Sequence, residues 1–306
     1  QAAASLLAVY GALTLLSLLS YWIAGLDLLH AAAYAAATLA AGGVSILPDA
    51  AGTFELPVFE FIGLLFMLLA GTNLTLQYRA WNGRVAELFR DAEFRSYLVV
   101  IGLGSLLLFV LLRGSGGVLS ALFQVVSVIT TTGFTTQGMT EWPQQAQLLL
   151  LALMFIGGCA GSAAGGIRIM RWLIVLRSTG KEVQRMLHPR AALPLRIGHR
   201  LITPEVLRST AAFFTVYVLL VGVSAFALAL LGLDHLAALS SALSSTGLVG
   251  FAFQADGQFV EFGLLPAAAK AVLLFDMYAG RLEIVTLAVL LVPGFWRLPR
   301  RRRPAA

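Results

Sequence analysis

Long apolar runs alternate with short polar knots along this chain, and the order of the pieces repeats. Residues 5–24 form the first apolar run, as long as a helix needs to cross a bilayer. Asp27-Leu28-Leu29-His30 opens a second run, Ala31 to Leu39. A run of that length is too short to cross and reads as re-entrant. Ala40-Ala41-Gly42-Gly43-Val44-Ser45 follows it, and Pro57 to Tyr78 makes the next crossing. The order then recurs: Tyr97 to Leu112 crosses, Gly117 to Ile129 is short, a Thr-Gly knot follows, and Leu148 to Leu176 returns. In the last pass Leu207 to Leu231 crosses and Asp234 opens the short segment His235 to Leu243. Ser244-Ser245-Thr246-Gly247-Leu248 comes next, and Phe262 to Trp296 returns.

A supersecondary unit repeated at a long period is the first feature to settle in a sequence. Here it predicts an all-α integral membrane fold. Each unit is a spanning helix, a short pore helix, a filter loop and a second spanning helix, set around a central pore as in potassium channels. The expected divisions are 1–80 for one unit, 81–95 for a connecting loop and 96–177 for a second unit with an interrupted last helix. Residues 178–206 are a basic loop, and 207–306 hold a third unit and an Arg-rich tail. Gly43, Gly133 and Gly247 recur at what read as equivalent points, and Gly allows backbone dihedrals that turn carbonyls inward. Three units do not close a four-fold pore. Either a further unit precedes residue 1 or the pore is three-fold; the chain opens on Gln1 rather than Met, so the former is expected. Without it, these residues alone are expected to leak or fail to assemble.

The knot Val128-Ile129-Thr130-Thr131-Thr132-Gly133-Phe134-Thr135-Thr136 carries the most chemistry. Thr favours strands, but an open polar strand would leave its backbone unpaired in lipid. A polar loop outside the membrane is another reading. Irregular backbone is tolerated at membrane depth where it lines a water-filled cavity, and there its carbonyls replace the hydration shell of a cation. The expected cation-binding filter is Ala41, Gly42 and Gly43, then Thr131, Thr132 and Gly133, then Ser245, Thr246 and Gly247.

Composition fits this reading. Hydrophobic residues make up 59% of the 306, charged residues 12%, and the mean hydropathy is +0.87, against about a quarter charged in soluble domains. Of 21 Lys and Arg, 18 fall in three clusters: Arg79–Arg95, Arg168–Arg208 and Arg297–Arg303. Each abuts an apolar run, so the positive-inside rule places all three in the cytoplasm, and nucleic-acid binding is disfavoured. Asp27, Asp49, Glu55, Glu60, Glu141, Asp234, Asp256 and Glu261 fall on the opposite side. They read either as an acidic pore mouth that concentrates cations or as ordinary solvated surface. The single cysteine, Cys159, excludes a disulfide framework.

Two further places stand out. Gly157, Gly158, Gly161, Gly165 and Gly166 interrupt the run Leu148–Leu176. Their spacing fits close GxxxG helix packing, or a broken helix that leaves a flexible loop under the filter. Arg281 lies deep in the last run, where a charge is costly and faces a cavity or a partner. It is expected to face the pore and raise the barrier to cations. Asp276 stands five residues before it, off its face, and has no evident role. Lys270 could snorkel or lean towards the filter. No nucleophile–base pair, P-loop or metal motif appears, so no enzyme activity is expected. A non-conducting scaffold would not need three such loops.

The chain resembles the cation-translocating subunits of the Trk/Ktr/HKT superfamily, most nearly the bacterial TrkH type. The resemblance rests on the Thr-Gly knot, on Gly157-Gly158-Cys159-Ala160-Gly161-Ser162-Ala163-Ala164-Gly165-Gly166, on Gly280-Arg281-Leu282-Glu283-Ile284 and on Ala70-Gly71-Thr72-Asn73. It implies four repeats, of which this chain holds the second to fourth. It also implies a K⁺ or K⁺/Na⁺ pathway in the inner membrane, a gating loop at Gly157–Gly166, a homodimer, and a cytoplasmic nucleotide-binding regulatory partner. No cofactor is implied beyond the transported ion. The sequence departs from the family in Ala40-Ala41, where hydroxyls are usual, and in Ser244-Ser245-Thr246 and Leu248, where amides and Pro are common. These departures bear on selectivity more than on architecture.

Overall fold

The computed structural model describes residues 2–42, 57–113, 117–136, 139–187, 194–198 and 200–282. Among them, α1 (Ala2–Ile23), α6 (Ala92–Leu111) and α10 (Pro204–Leu230) are long and apolar enough to cross a membrane. A fourth crossing of that kind is a bent pair, α3 (Pro57–Ala70) and α4 (Leu74–Trp81). After each long helix comes a short one: α2 (Leu28–Leu39), α7 (Gly117–Ile129) and α11 (His235–Gly247). The remaining helices are α5 (Val85–Arg90), α8 (Gln144–Met154), α9 (Ile169–Leu187) and α12 (Ala267–Arg281). A two-stranded antiparallel hairpin, β1 (Arg196–Ile197) and β2 (Arg200–Leu201), precedes α10.

Burial inverts the soluble pattern. Leu103, Leu106 and Val110 on α6, and Leu219, Val223 and Phe226 on α10, are all at least 60% exposed. In water such apolar surface would be costly; against lipid it costs nothing. The short helices are the buried ones. On α7, Ala121, Phe123, Val125, Val126, Val128 and Ile129 are wholly buried, held among α3, α6 and α8. The third short helix, α11, packs likewise between α10 and α12. Each unit thus puts its long helices outside and its short helix within, and the ends of α7 and α11 come together.

Local signals start these helices. Asp27 accepts from the backbone N–H of Leu29 and Asp234 from that of Leu236, capping α2 and α11; Asp91 caps α6 through Glu93 and Phe94. Side-chain caps of this kind satisfy amides that a helix start leaves open. Two of the acids expected at a pore mouth therefore have capping roles. Glu60 is not solvated surface either: it is buried in α3 and hydrogen-bonded to Ser120 of α7. Asp49 and Glu55 lie outside the described residues.

The crossing expected as one helix from Pro57 to Tyr78 is bent by 102° between Ala70 and Leu74. Asn73 starts a new helix there, its Oδ1 accepting from the N–H groups of Thr75 at 2.8 Å and Leu76 at 3.4 Å. The carbonyls of Ala70 and Gly71 turn instead to another segment, residues 155–168.

Candidate functional site

The three short helices end in the same turn. After α2, the N–H of Ala41 bonds the Thr38 carbonyl and that of Gly42 the Ala37 carbonyl. After α7, Thr131 bonds Val128 and Thr132 bonds Ser127; after α11, Leu248 bonds Ser245 and Val249 bonds Ser244. These are three Schellman caps, with Ala41, Thr131 and Leu248 in the left-handed region at φ 51°, 55° and 63°. Glycine usually fills that position, and an L-residue there costs about 1–2 kcal/mol. Such strain persists where surrounding structure holds it, and it gathers at functional sites.

The shared turn fixes the register of the units. Two residues past Thr131 is Gly133, with φ 78°; two residues past Leu248 is Gly250, with φ 109°. Each is followed by a buried phenylalanine, Phe134 and Phe251. Gly250, not Gly247, is therefore the counterpart of Gly133. Ser245, Thr246 and Gly247, expected in the filter, form the last turn of α11, where the Thr246 hydroxyl bonds the Ala242 carbonyl. The segment past that turn is Leu248-Val249-Gly250. The paired Gly-Phe of 133–134 and 250–251 was the signal in the sequence that marked it. Gly43, the matching position of the first unit, lies outside the described residues, while Ala41 and Gly42 sit at the turn itself.

Side chains of the short helices hold the chain leaving these turns. Ser127 donates to the Phe134 carbonyl at 2.7 Å, and its counterpart Ser244 accepts from the Gly250 N–H at 3.0 Å. Further on, Gln124 accepts from the Thr136 N–H, while Ser240 both accepts from the Phe253 N–H and donates to its carbonyl. Thr130 and Thr132 share a hydroxyl contact at 2.9 Å. The second and third segments touch: a Cβ on Gly133 would overlap the Val249 carbonyl.

Between α8 and α9 the chain is not helical, so the glycines there do not serve GxxxG packing. Gly157, Gly161 and Gly166 have φ of 75°, 74° and 74°. The 155–168 segment folds on itself, since a Cβ on Gly157 would stand 2.5 Å from the Gly165 carbonyl. It is tied to the bend of α3–α4 by three backbone bonds. The N–H of Cys159 goes to the Gly71 carbonyl, that of Ala163 to the Ala70 carbonyl, and that of Leu74 to the Gly161 carbonyl. The buried carboxylate of Glu93, at the start of α6, accepts from the Ala160 N–H at 2.6 Å. No pattern along the chain marked that bond.

The same segment lies against the helix-end turns. The Gly165 N–H donates to the Thr131 hydroxyl at 2.7 Å. A Cβ on Gly165 would collide with the Gly247 carbonyl, and one on Gly158 would come within 2.6 Å of the Ala164 Cβ. Arg281, at the end of α12, donates through Nη1 to the Ala163 carbonyl at 3.3 Å. Five of the six residues expected in a gate thus lie in this one segment and Arg281 touches it; Gly165 meets the turns of α7 and α11, while Gly161 lies against Asn73 at the α3–α4 bend. Lys270 does not join them; it donates to the Gly263 carbonyl, away from that end of α12.

Three short helices that end in one turn, two of them, α7 and α11, running into irregular buried segments, define a pore-loop membrane protein. Residues 4–297 match the family model TrkH, described as a cation transport protein, and the chain belongs to that family. It is 34% identical over 307 residues to the Trk system potassium uptake protein TrkH of Escherichia coli K12, which covers 97% of this chain and 63% of the relative. The protein TrkI of Halomonas elongata, named likewise, is 33% identical over 95% of this chain and 61% of its own length. The crystal structure of the potassium transporter TrkH from Vibrio parahaemolyticus superposes with a TM-score of 0.90 at 34% identity, covering 97% of this chain and 65% of that one. The chain therefore spans less than two thirds of the length of these relatives.

Proposed function

We propose that this chain carries monovalent cations, K⁺ foremost, into the cell through a filter of backbone carbonyls gated by the 155–168 segment. The observation that carries the reading is the recurrence of one strained turn at three short-helix ends, with the interrupted span lying against two of them. The filter segments are then Ala41-Gly42 with Gly43, Thr131-Thr132-Gly133 and Leu248-Val249-Gly250. Carbonyls there replace the water that a cation sheds on entry. The helices' C-terminal ends, partly negative, add to the attraction.

The gate is the 155–168 segment with Gly157, Gly158, Gly161, Gly165 and Gly166, held shut by Thr131, Glu93 and Arg281. Arg281 acts twice in this reading: it anchors Ala163, and its charge opposes a cation near the constriction. The units at 1–80, 96–177 and 207–306 are the repeats, joined by loops at 81–95 and 178–206. Their Arg clusters face the cytoplasm, where a nucleotide-binding regulatory partner docks on a homodimer. No catalysis is assigned to the chain.

A Na⁺-permeable variant of this pathway is favoured by one observation, the absence of hydroxyls at Ala40-Ala41-Gly42. The test is uptake by the full-length protein in a host without K⁺ uptake of its own, comparing Rb⁺ with Na⁺, beside Gly133→Ser and Gly250→Ser. Rb⁺ uptake whose Rb⁺/Na⁺ ratio falls in both variants supports the filter; near-equal uptake of both ions by the parent protein supports the Na⁺-permeable form. An unchanged ratio in both variants removes the filter assignment. No flux from a folded protein removes transport and leaves a membrane scaffold.

A further inference from the structure

One buried acid takes no part in this scheme. Asp276 on α12 is wholly buried. Its Oδ1 accepts from the Ser224 hydroxyl of α10 at 2.7 Å, and its Oδ2 has no partner among the described residues. Two turns before Ser224 on the same buried stripe of α10 stands Tyr217, whose hydroxyl is also buried and without a partner there. Both residues flank the end of α11. A Cβ on Gly247 would lie 3.5 Å from the Tyr217 hydroxyl, and Gly280, one turn past Asp276, is so close to α11 that a Cβ would strike the Thr246 carbonyl. The segment Leu248-Val249-Gly250 springs from that end.

Among the described residues, no cation is placed to neutralise the acid. On its own helix, Lys270 bonds the Gly263 carbonyl and Arg281 the Ala163 carbonyl. Glu205 and Arg208 of α10 lie several turns away, at its start. The ionisable residue of α11, His235, has a fully exposed side chain at the helix's other end. Among the described residues, Tyr217 is thus the titratable group that faces Asp276. A buried carboxylate with one bare oxygen is costly when ionised, and such groups at membrane depth pair, neutralise or serve a relay.

We propose that Asp276, with Ser224 and Tyr217, forms a proton-binding site behind the Leu248–Gly250 segment, and that its occupancy sets the cation affinity of that segment. The proposal rests on the cation-pathway reading above. Ionised, Asp276 attracts a cation in the neighbouring filter; protonated, it does not. At an effective dielectric of about 20, a unit charge roughly 10 Å from a bound ion changes its affinity about tenfold.

The experiment measures the KM for Rb⁺ uptake into proteoliposomes holding the full-length protein, between about pH 5 and 8. The parent protein is expected to show one step, with KM rising about tenfold as pH falls. Asp276→Asn should be flat at the weak value, and Ser224→Ala should move the step upward by about one pH unit through loss of a hydrogen bond to the charged form. A parent protein without a step, a step retained in Asp276→Asn, or a step that follows Na⁺ concentration rather than pH overturns the proposal. The infrared C=O band of a protonated carboxyl, lost in Asp276→Asn, reports the site without transport. A titrating band in a protein that passes no Rb⁺ keeps the proton site and overturns the cation pathway instead.

Discussion

Glu93, Thr131 and Arg281 each hold the 155–168 segment by one polar contact, from α6, the α7 turn and α12 respectively. Removing the buried acceptor leaves the Ala160 N–H unsatisfied, a cost of about 1–3 kcal/mol. Glu93→Ala is therefore expected to loosen the segment and raise Rb⁺ flux several-fold, while Glu93→Gln, which keeps an acceptor, stays near the parent. Equal flux in all three would remove Glu93 from the gate. Arg281→Ala should also speed flux; unchanged or lower flux in a folded protein would end its gating role. Cys159 gives an independent readout, because it is buried within the segment. With Cys159 as the only cysteine, maleimide labelling should be slow in the parent and faster in Arg281→Ala. Equal labelling rates would mean that the segment does not move when its anchor is lost.

At the scale of elements, two interrupted helices support one another. The bend between α3 and α4 frees the carbonyls of Ala70 and Gly71, and the 155–168 segment supplies the N–H groups that take them up. Neither break satisfies its backbone alone, which matters where no water can substitute. Asn73 sets the position of the bend, so Asn73→Ala should lower stability by about 1 kcal/mol, seen as a lower melting temperature in detergent. Asn73→Asp should restore it. The helix-end turns offer a test of opposite sign. Leu248 sits at φ 63°, and Leu248→Gly should relieve about 1 kcal/mol of that strain and raise the melting temperature. A fall would mean that the leucine side chain contributes more by packing than its backbone costs.

Across the whole molecule, lipid-facing apolar helices enclose a polar centre, and charge marks the two ends. Arg79 in the last turn of α4, Arg84 at the start of α5 and Arg90 at its end mark one end, while Asp27 and Asp234 cap short helices that start from the other. If the positive-inside rule governs the orientation, Arg84→Cys should be labelled by an impermeant reagent only from the cytoplasmic side. Labelling from outside would invert the topology and reverse the direction assigned to the filter.

Hydropathy and repetition determined the class of protein, the order of long and short helices, the start of α7 at Gly117 and its end at Ile129, and the break around Gly157–Gly166. These depend on local length and composition, and a residue's neighbours along the chain carry that information. The three-residue shift of the helix-end turn in the last repeat had a different origin. Gly247 looked equivalent to Gly133 by spacing, but a left-handed turn can be held by Ala41, Thr131 or Leu248 as well as by glycine, so the backbone bonds were needed to show that the Gly-Phe pairs are the matching points. The 102° bend at Gly71–Asn73, the Glu93 contact and the Ser224–Asp276 pair were likewise settled by tertiary structure. Each joins residues far apart in sequence, where the unmet hydrogen bond of one segment is met by another, and no local pattern records that exchange.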